Sequence, residues 1–276
     1  MSTINLNNCV ARTTATKLKE ATLSKRQKRA SALVVTDSST QRSFSSNNTV
    51  VLDSYRKPSQ QRPITLLPKS LTQETYIDLL TNPEKLIVFA TGPAGTGKTM
   101  LAVLAALRAF RAGICERIVV TRPAVGVDDE EHGFLPGDLN EKMAPWTRPI
   151  FDIIGEYYRQ TEIARMLDEN QIEISPLAYM RGRTFKNSWI IADEMQNATP
   201  SQMKMLLTRL GEGSKMIVTG DTRQADRRED DNGLLNFQRL VDDYRGCKYV
   251  SGIEFDHRDI QRHPAVLEIL KIYKEV

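Results

Sequence analysis

Gly92-Pro93-Ala94-Gly95-Thr96-Gly97-Lys98-Thr99 (GPAGTGKT) is the stretch that decides the fold. It matches G-x-x-x-x-G-K-[ST], a pattern with a physical basis. Backbone N–H groups can approach phosphate oxygens closely only where glycines carry no side chain, and a helix starting there adds partial positive charge at its N-terminus. The flanks agree with it. Residues 86–91 (LIVFAT) are an apolar run of strand length, and residues 100–112 (MLAVLAALRAFRA), rich in Ala and Leu, predict a helix. Gly92, Gly95 and Gly97 then give the close approach, and Pro93, Ala94 and Thr96 complete the cradle. Lys98 is expected to reach the β- and γ-phosphates of a nucleoside triphosphate, and the Thr99 hydroxyl to ligate Mg²⁺.

A second stretch falls about a hundred residues downstream. Residues 189–194 (WIIADE) run from apolar residues into two carboxylates, as a buried strand does when its carboxyl end faces a ligand. Asp193 is expected to hold the Mg²⁺ shell, and Glu194 to orient and polarise the water that attacks the γ-phosphate. Alone the pattern is common; after a phosphate-binding loop it is specific.

The remaining elements alternate. Strands are predicted at residues 117–121 (RIVVT), 172–175, 215–219 (KMIVT) and 249–255, and helices at 72–80 with Thr72 as N-cap, 151–168, 199–210 with Pro200 in the first turn, 234–244 and 264–273. Strands alternating with helices make an α/β domain with a mostly parallel sheet flanked by helices. Residues 126–149, dense in Gly and Pro and holding DDEEH, read as a long ordered loop or lid. Several polar groups fall at predicted strand ends. Arg122 follows the second strand, and GDTRQ (residues 220–224) ends the fifth with Gln224 as a candidate γ-phosphate sensor. Arg258 and Arg262 in HRDIQRH are candidates to touch phosphate. Gln73 is a candidate adenine reader, because an amide both donates and accepts; a solvent-facing helix residue is the plain alternative.

Composition sets the outer limits. The 276 residues suffice for one substantial α/β domain, expected over residues 66–276, preceded by a tail. Residues 1–65 hold eleven Lys or Arg against three acids, a net +8, which leaves −4 for the remainder of a chain whose total is +4. Such a basic arm, rich in Ser, Thr and Asn, predicts disorder with at most a short helix over residues 15–33; attraction to nucleic acid and a merely solubilising tail weigh equally. No apolar run is long enough for a membrane span and no signal peptide is visible, so the expected location is the cytoplasm. The three cysteines and three histidines have no metal-ligand spacing.

GPAGTGKT, TRP, GFLPGDLNEK, MRGRTF, IIADEMQN, GDTRQ and a late RHP stand here in the order found in PhoH-like proteins, the phosphate-starvation-inducible ATPases, which residues 66–276 resemble. The resemblance implies a single RecA-like P-loop NTPase core similar to that of superfamily 1 helicases, ATP with Mg²⁺, a homo-oligomer such as a hexameric ring, an RNA-linked role, and Arg262 as arginine finger. The chain departs from the family pattern at RREDD (residues 227–231). ATP hydrolysis coupled to RNA remodelling or unwinding is therefore the expected function. The alternative is a slowly hydrolysing, nucleotide-gated switch or scaffold for RNA or a nuclease partner. A small-molecule kinase fits less well, since no second substrate pocket is visible in the sequence.

Overall fold

The computed structural model describes residues 62–123, 139–224, 232–244 and 246–273. The basic arm up to residue 61, the first part of the expected lid with its DDEEH, and RREDD lie outside the described residues.

Six strands form one sheet: β1 (Ile87–Thr91), β2 (Arg117–Thr121), β3 (Ile172–Ile174), β4 (Ser188–Ala192), β5 (Lys215–Gly220) and β6 (Val250–Glu254). Their order is β3-β2-β4-β5-β1-β6 and every pairing is parallel. All carboxyl ends therefore open on one side. The strands β1, β2, β4 and β5 are buried on both faces, which explains their near-continuous apolar character. Alternation divides their side chains between two cores. Val88, Ala90, Ile118, Val120, Ile191 and Ile217 belong to one; Phe89, Val119, Ile190, Ala192, Met216 and Val218 belong to the other.

Seven helices accompany the sheet among the described residues: α1 (Leu71–Thr81), α2 (Lys98–Arg111), α3 (Leu139–Gly155), α4 (Gln160–Asp168), α5 (Pro200–Leu207), α6 (Gly233–Asp243) and α7 (Pro264–Ile272). The first core takes Tyr76 and Leu80 of α1, the Leu/Ala face of α2, Ile150 and Ile154 of α3, and Ile163 and Met166 of α4. The second takes Met203 and Leu206 of α5, so the methionines there pack as core, and Leu234 of α6.

Local differences from the sequence expectations have identifiable causes. Helix α1 is capped by Ser70, whose hydroxyl accepts from Gln73 N, and Thr72 lies inside the first turn. The expected lid becomes helix from Leu139 onward despite Pro145 and Pro149, because Ile150 and Ile154 bury completely against the core. The single helix expected over residues 151–168 is two. It stops at Gly155 and restarts after Arg159, whose N–H donates to Glu162 Oε2 at 2.8 Å in the first turn. No helix among the described residues is long and apolar enough to cross a membrane.

Candidate active site at the carboxyl edge of the sheet

The GPAGTGKT loop joins β1 to α2, and two of its three positive-φ glycines leave least room for a side chain. Gly92 has φ +128°, and a Cβ there would lie 2.3 Å from the Phe255 carbonyl oxygen. Gly95 has φ +84°, and a Cβ there would meet Arg262 Nε at 2.4 Å. Two neighbours thus press on the loop from the segment after β6. Phe255 N donates to Thr91 O at 2.7 Å and Gln261 N to Gly95 O at 2.9 Å.

Asp193 is held from three elements. Thr99 Oγ1 on α2 donates to Asp193 Oδ1 at 2.8 Å, Thr219 Oγ1 on β5 donates to the same oxygen at 2.5 Å, and Asp193 N donates to Thr121 O on β2 at 3.0 Å. Oδ2 has no hydrogen-bond partner among the described residues. Thr99 Oγ1 and Asp193 are hard oxygen donors brought together, a pair that could hold Mg²⁺ with its remaining positions filled by water and phosphate oxygens.

Lys98 is buried, with Nζ donating to Gly92 O at 2.6 Å and Pro93 O at 2.7 Å. Burial holds its ammonium below the ordinary lysine range, an effect that Arg262 reinforces and that Asp221, Glu194 and Asp193 oppose. Lys98, Thr99, Asp193, Glu194, Asp221 and Gln224 line one cleft of ≈ 250 Å³. An adjoining cleft of ≈ 530 Å³, also touching Pro93 and Ala94, is lined by Arg223, His257 and Arg262.

Glu194 stands in the left-handed region at φ 54°, which turns its side chain out of the strand direction. Gln196, buried to 2% exposure, fixes it. Its Nε2 donates to Glu194 Oε2 at 2.6 Å and its Oε1 accepts from Asp221 N at 3.1 Å. Neither Gln196 nor Asp221 is among the candidates drawn from the sequence. An amide two residues beyond a strand-ending carboxylate pair is the signal that points to Gln196, and a carboxylate directly after the end of β5 the one that points to Asp221.

Gln73 is buried and does not face solvent, which removes the plain alternative. Its Nε2 donates to Thr96 O at 2.9 Å and its Oε1 accepts from Lys69 N at 2.7 Å, so the amide ties α1 to the loop. Tyr76 OH, one turn later, donates to Lys98 O at 3.4 Å. Among the arginines, Arg258 is engaged by Asp256 Oδ2. Asp259 caps Asp256 N, and Arg262 makes no ion pair with it. Arg262 lies instead over Gly95 of its own chain.

The family model for PhoH-like protein matches residues 65–274. The chain belongs to the PhoH-like family. A PhoH-like protein of Bacillus subtilis is 45% identical over 206 residues, which cover 74% of this chain and 63% of that protein. One from Synechocystis is 43% identical over 207 residues, 75% of this chain and 61% of its own. The Escherichia coli protein PhoH is 43% identical over 169 residues, 58% and 45% respectively. The aligned stretch thus spans less than two thirds of these PhoH-like relatives. Among solved structures, the Pif1 helicase from Candida albicans matches 75% of this chain and 44% of its own with a TM-score of 0.37 and 16% identity, a likeness too distant to inform function.

Proposed function

We propose that this chain binds ATP with Mg²⁺ at the carboxyl edge of its sheet, hydrolyses the γ-phosphate, and couples the cycle to remodelling of RNA. The observation that carries the nucleotide part is the Thr99–Asp193 hydrogen bond of 2.8 Å inside the cleft that Lys98 and Glu194 share. A loop threonine and a strand-end aspartate make this contact where both face one cation site.

In this proposal residues 92–99 wrap the phosphates, and Lys98 exchanges its carbonyl contacts for β- and γ-phosphate oxygens. Thr99 and Asp193 hold Mg²⁺, which neutralises charge on the phosphate chain. Glu194, with Oε2 already engaged by Gln196, offers Oε1 to the attacking water. Gln224 and Arg262 line the γ-phosphate side, and the position of Arg262 over its own loop supports action within one chain. Gln73 supports the loop beneath the nucleotide, and adenine reading would require its amide to give up a protein partner.

The RNA part draws on family membership and on the basic arm of residues 1–65, and a homo-oligomeric ring rests on the family resemblance alone. ATP turnover of the wild type and of Lys98→Ala, each with and without single-stranded RNA, tests both parts. Loss of turnover in the folded variant, with stimulation by RNA in the wild type, is expected. Undiminished turnover in Lys98→Ala would refute the site; unstimulated turnover and no RNA binding would refute the coupling.

A further inference from the structure

The turn after β3, from Tyr179 through the start of MRGRT (residues 180–184) to Gly182, is not used by the chemistry above. We propose that Tyr179 and Arg181 form a platform on which single-stranded nucleic acid stacks and is held; this rests on the nucleic-acid part of the function proposed above.

The turn is rigidly anchored. Leu177 and Met180 of the 3₁₀ segment Leu177–Met180 are buried in the core at 2% and 0% exposure. Arg183 is held by Glu173, by Ser175 Oγ at 3.3 Å, and by stacking of its guanidinium 4.5 Å from the Phe185 ring centroid. Between these anchors Tyr179 is 65% exposed, and Arg181 is exposed with no hydrogen bond or ion pair among the described residues. Gly182, at φ +80°, would meet nothing within 4 Å even with a Cβ, so the turn stands open to solvent. An exposed aromatic face on an anchored backbone, with an exposed cation two residues on, suits a stacked base and its phosphate, a combination that paired strands do not offer. Burial would raise the Glu173 carboxyl, but the hydrogen bonds and charges of Arg183 and Arg117 hold it below the usual range. The strand's own carboxylate thus stays ionised and is paired with Arg183 and Arg117.

Position separates Tyr179 from exposed Tyr249. Tyr249 sits at the amino end of the sheet, where its carbonyl accepts from Leu86 N and Ile87 N, under the Lys248 ammonium. Tyr179 follows the carboxyl end of β3, on the same edge as the phosphate-binding loop. From there a short path leads to the site: Ser175 N donates to Val120 O, and the next carbonyl of β2, Thr121 O, accepts from Asp193 N.

The test uses the full chain and a fluorescein-labelled oligouridylate of about a dozen nucleotides, followed by anisotropy across a salt series. Tyr179→Ala is expected to weaken binding about tenfold or more, Tyr179→Phe to retain it, and both to keep RNA-free ATP turnover. Arg181→Ala should reduce the slope of log affinity against log salt by about 0.7, the share of one single-strand phosphate contact. Binding by Tyr179→Ala equal to the wild type would overturn the platform and leave the turn as a protein-contacting surface. Equal weakening in Tyr179→Phe would overturn stacking. If wild type itself bound no oligonucleotide, the parent nucleic-acid proposal would fall with it.

Discussion

Gln196 donates a 2.6 Å hydrogen bond to Glu194 Oε2, so that Oε1 is the carboxylate oxygen without a hydrogen-bond partner among the described residues. Glu194→Gln should bind ATP and lower its turnover by about 10²–10⁴, the usual contribution of a positioned base. Gln196→Ala should act more gently, reducing kcat about tenfold with KM nearly unchanged, because the base remains but is no longer oriented. Steady-state ATPase assays separate the two; a Gln196→Ala variant as fast as wild type would show that the bond is incidental.

Gln73→Ala removes a buried donor from the Thr96 carbonyl and loosens the loop where it meets α1. One such bond contributes about 1 kcal/mol, so KM for ATP should rise about fivefold. Measuring GTP in parallel distinguishes support from recognition: an equal rise for both nucleotides assigns Gln73 to the loop alone, and a relaxed preference for ATP assigns it to adenine.

Arg262→Ala should bind ATP and hydrolyse it about 10³-fold more slowly, the scale of a positive charge placed on the γ-phosphate. Since Arg262 packs on Gly95 of its own chain, mixing Arg262→Ala with Lys98→Ala protein should restore nothing. Recovery of activity after demonstrated subunit exchange would instead establish a finger acting between subunits.

Lys215 Nζ is enclosed by the carbonyls of Leu79, Leu80 and Asn82 at the end of α1, and burial pulls its ammonium down to about 8. An unfolded lysine titrates near about 10.4. Between these values the unfolded chain binds more protons, so this group's contribution to stability rises with pH and is flat below 8. Thermal melts should therefore show the wild type gaining on Lys215→Met from about pH 8 to about pH 10. A constant gap would mean that Lys215 titrates normally in the folded protein.

Residues that announce themselves by type and spacing are legible in the sequence. Gly95, Gly97, Lys98, Thr99, Asp193 and Glu194 meet in one cleft because strand, turn and helix follow locally from apolar runs and glycines. Contacts made by long-range closure are not legible. Nothing local to Gln73 says that its amide will reach Thr96, and nothing local to Arg262 says that it will lie over Gly95. Pro145 and Pro149 mislead for a related reason: they argue for a loop, whereas burial of Ile150 and Ile154 decides for helix.

The strand order bears on how the protein is made. β1 lies between β5 and β6, so Ile87 waits for register partners at Met216 and Val250, both far downstream. The phosphate-binding loop hangs from that strand and is pressed into shape by Phe255 and Gln261, later still. On the ribosome the loop emerges early, yet its geometry cannot close until nearly the whole domain has left the exit tunnel. If the proposed site is right, nascent chains arrested before β6 should therefore fail to retain ATP, and nucleotide capture should come only after the last strand has joined the sheet.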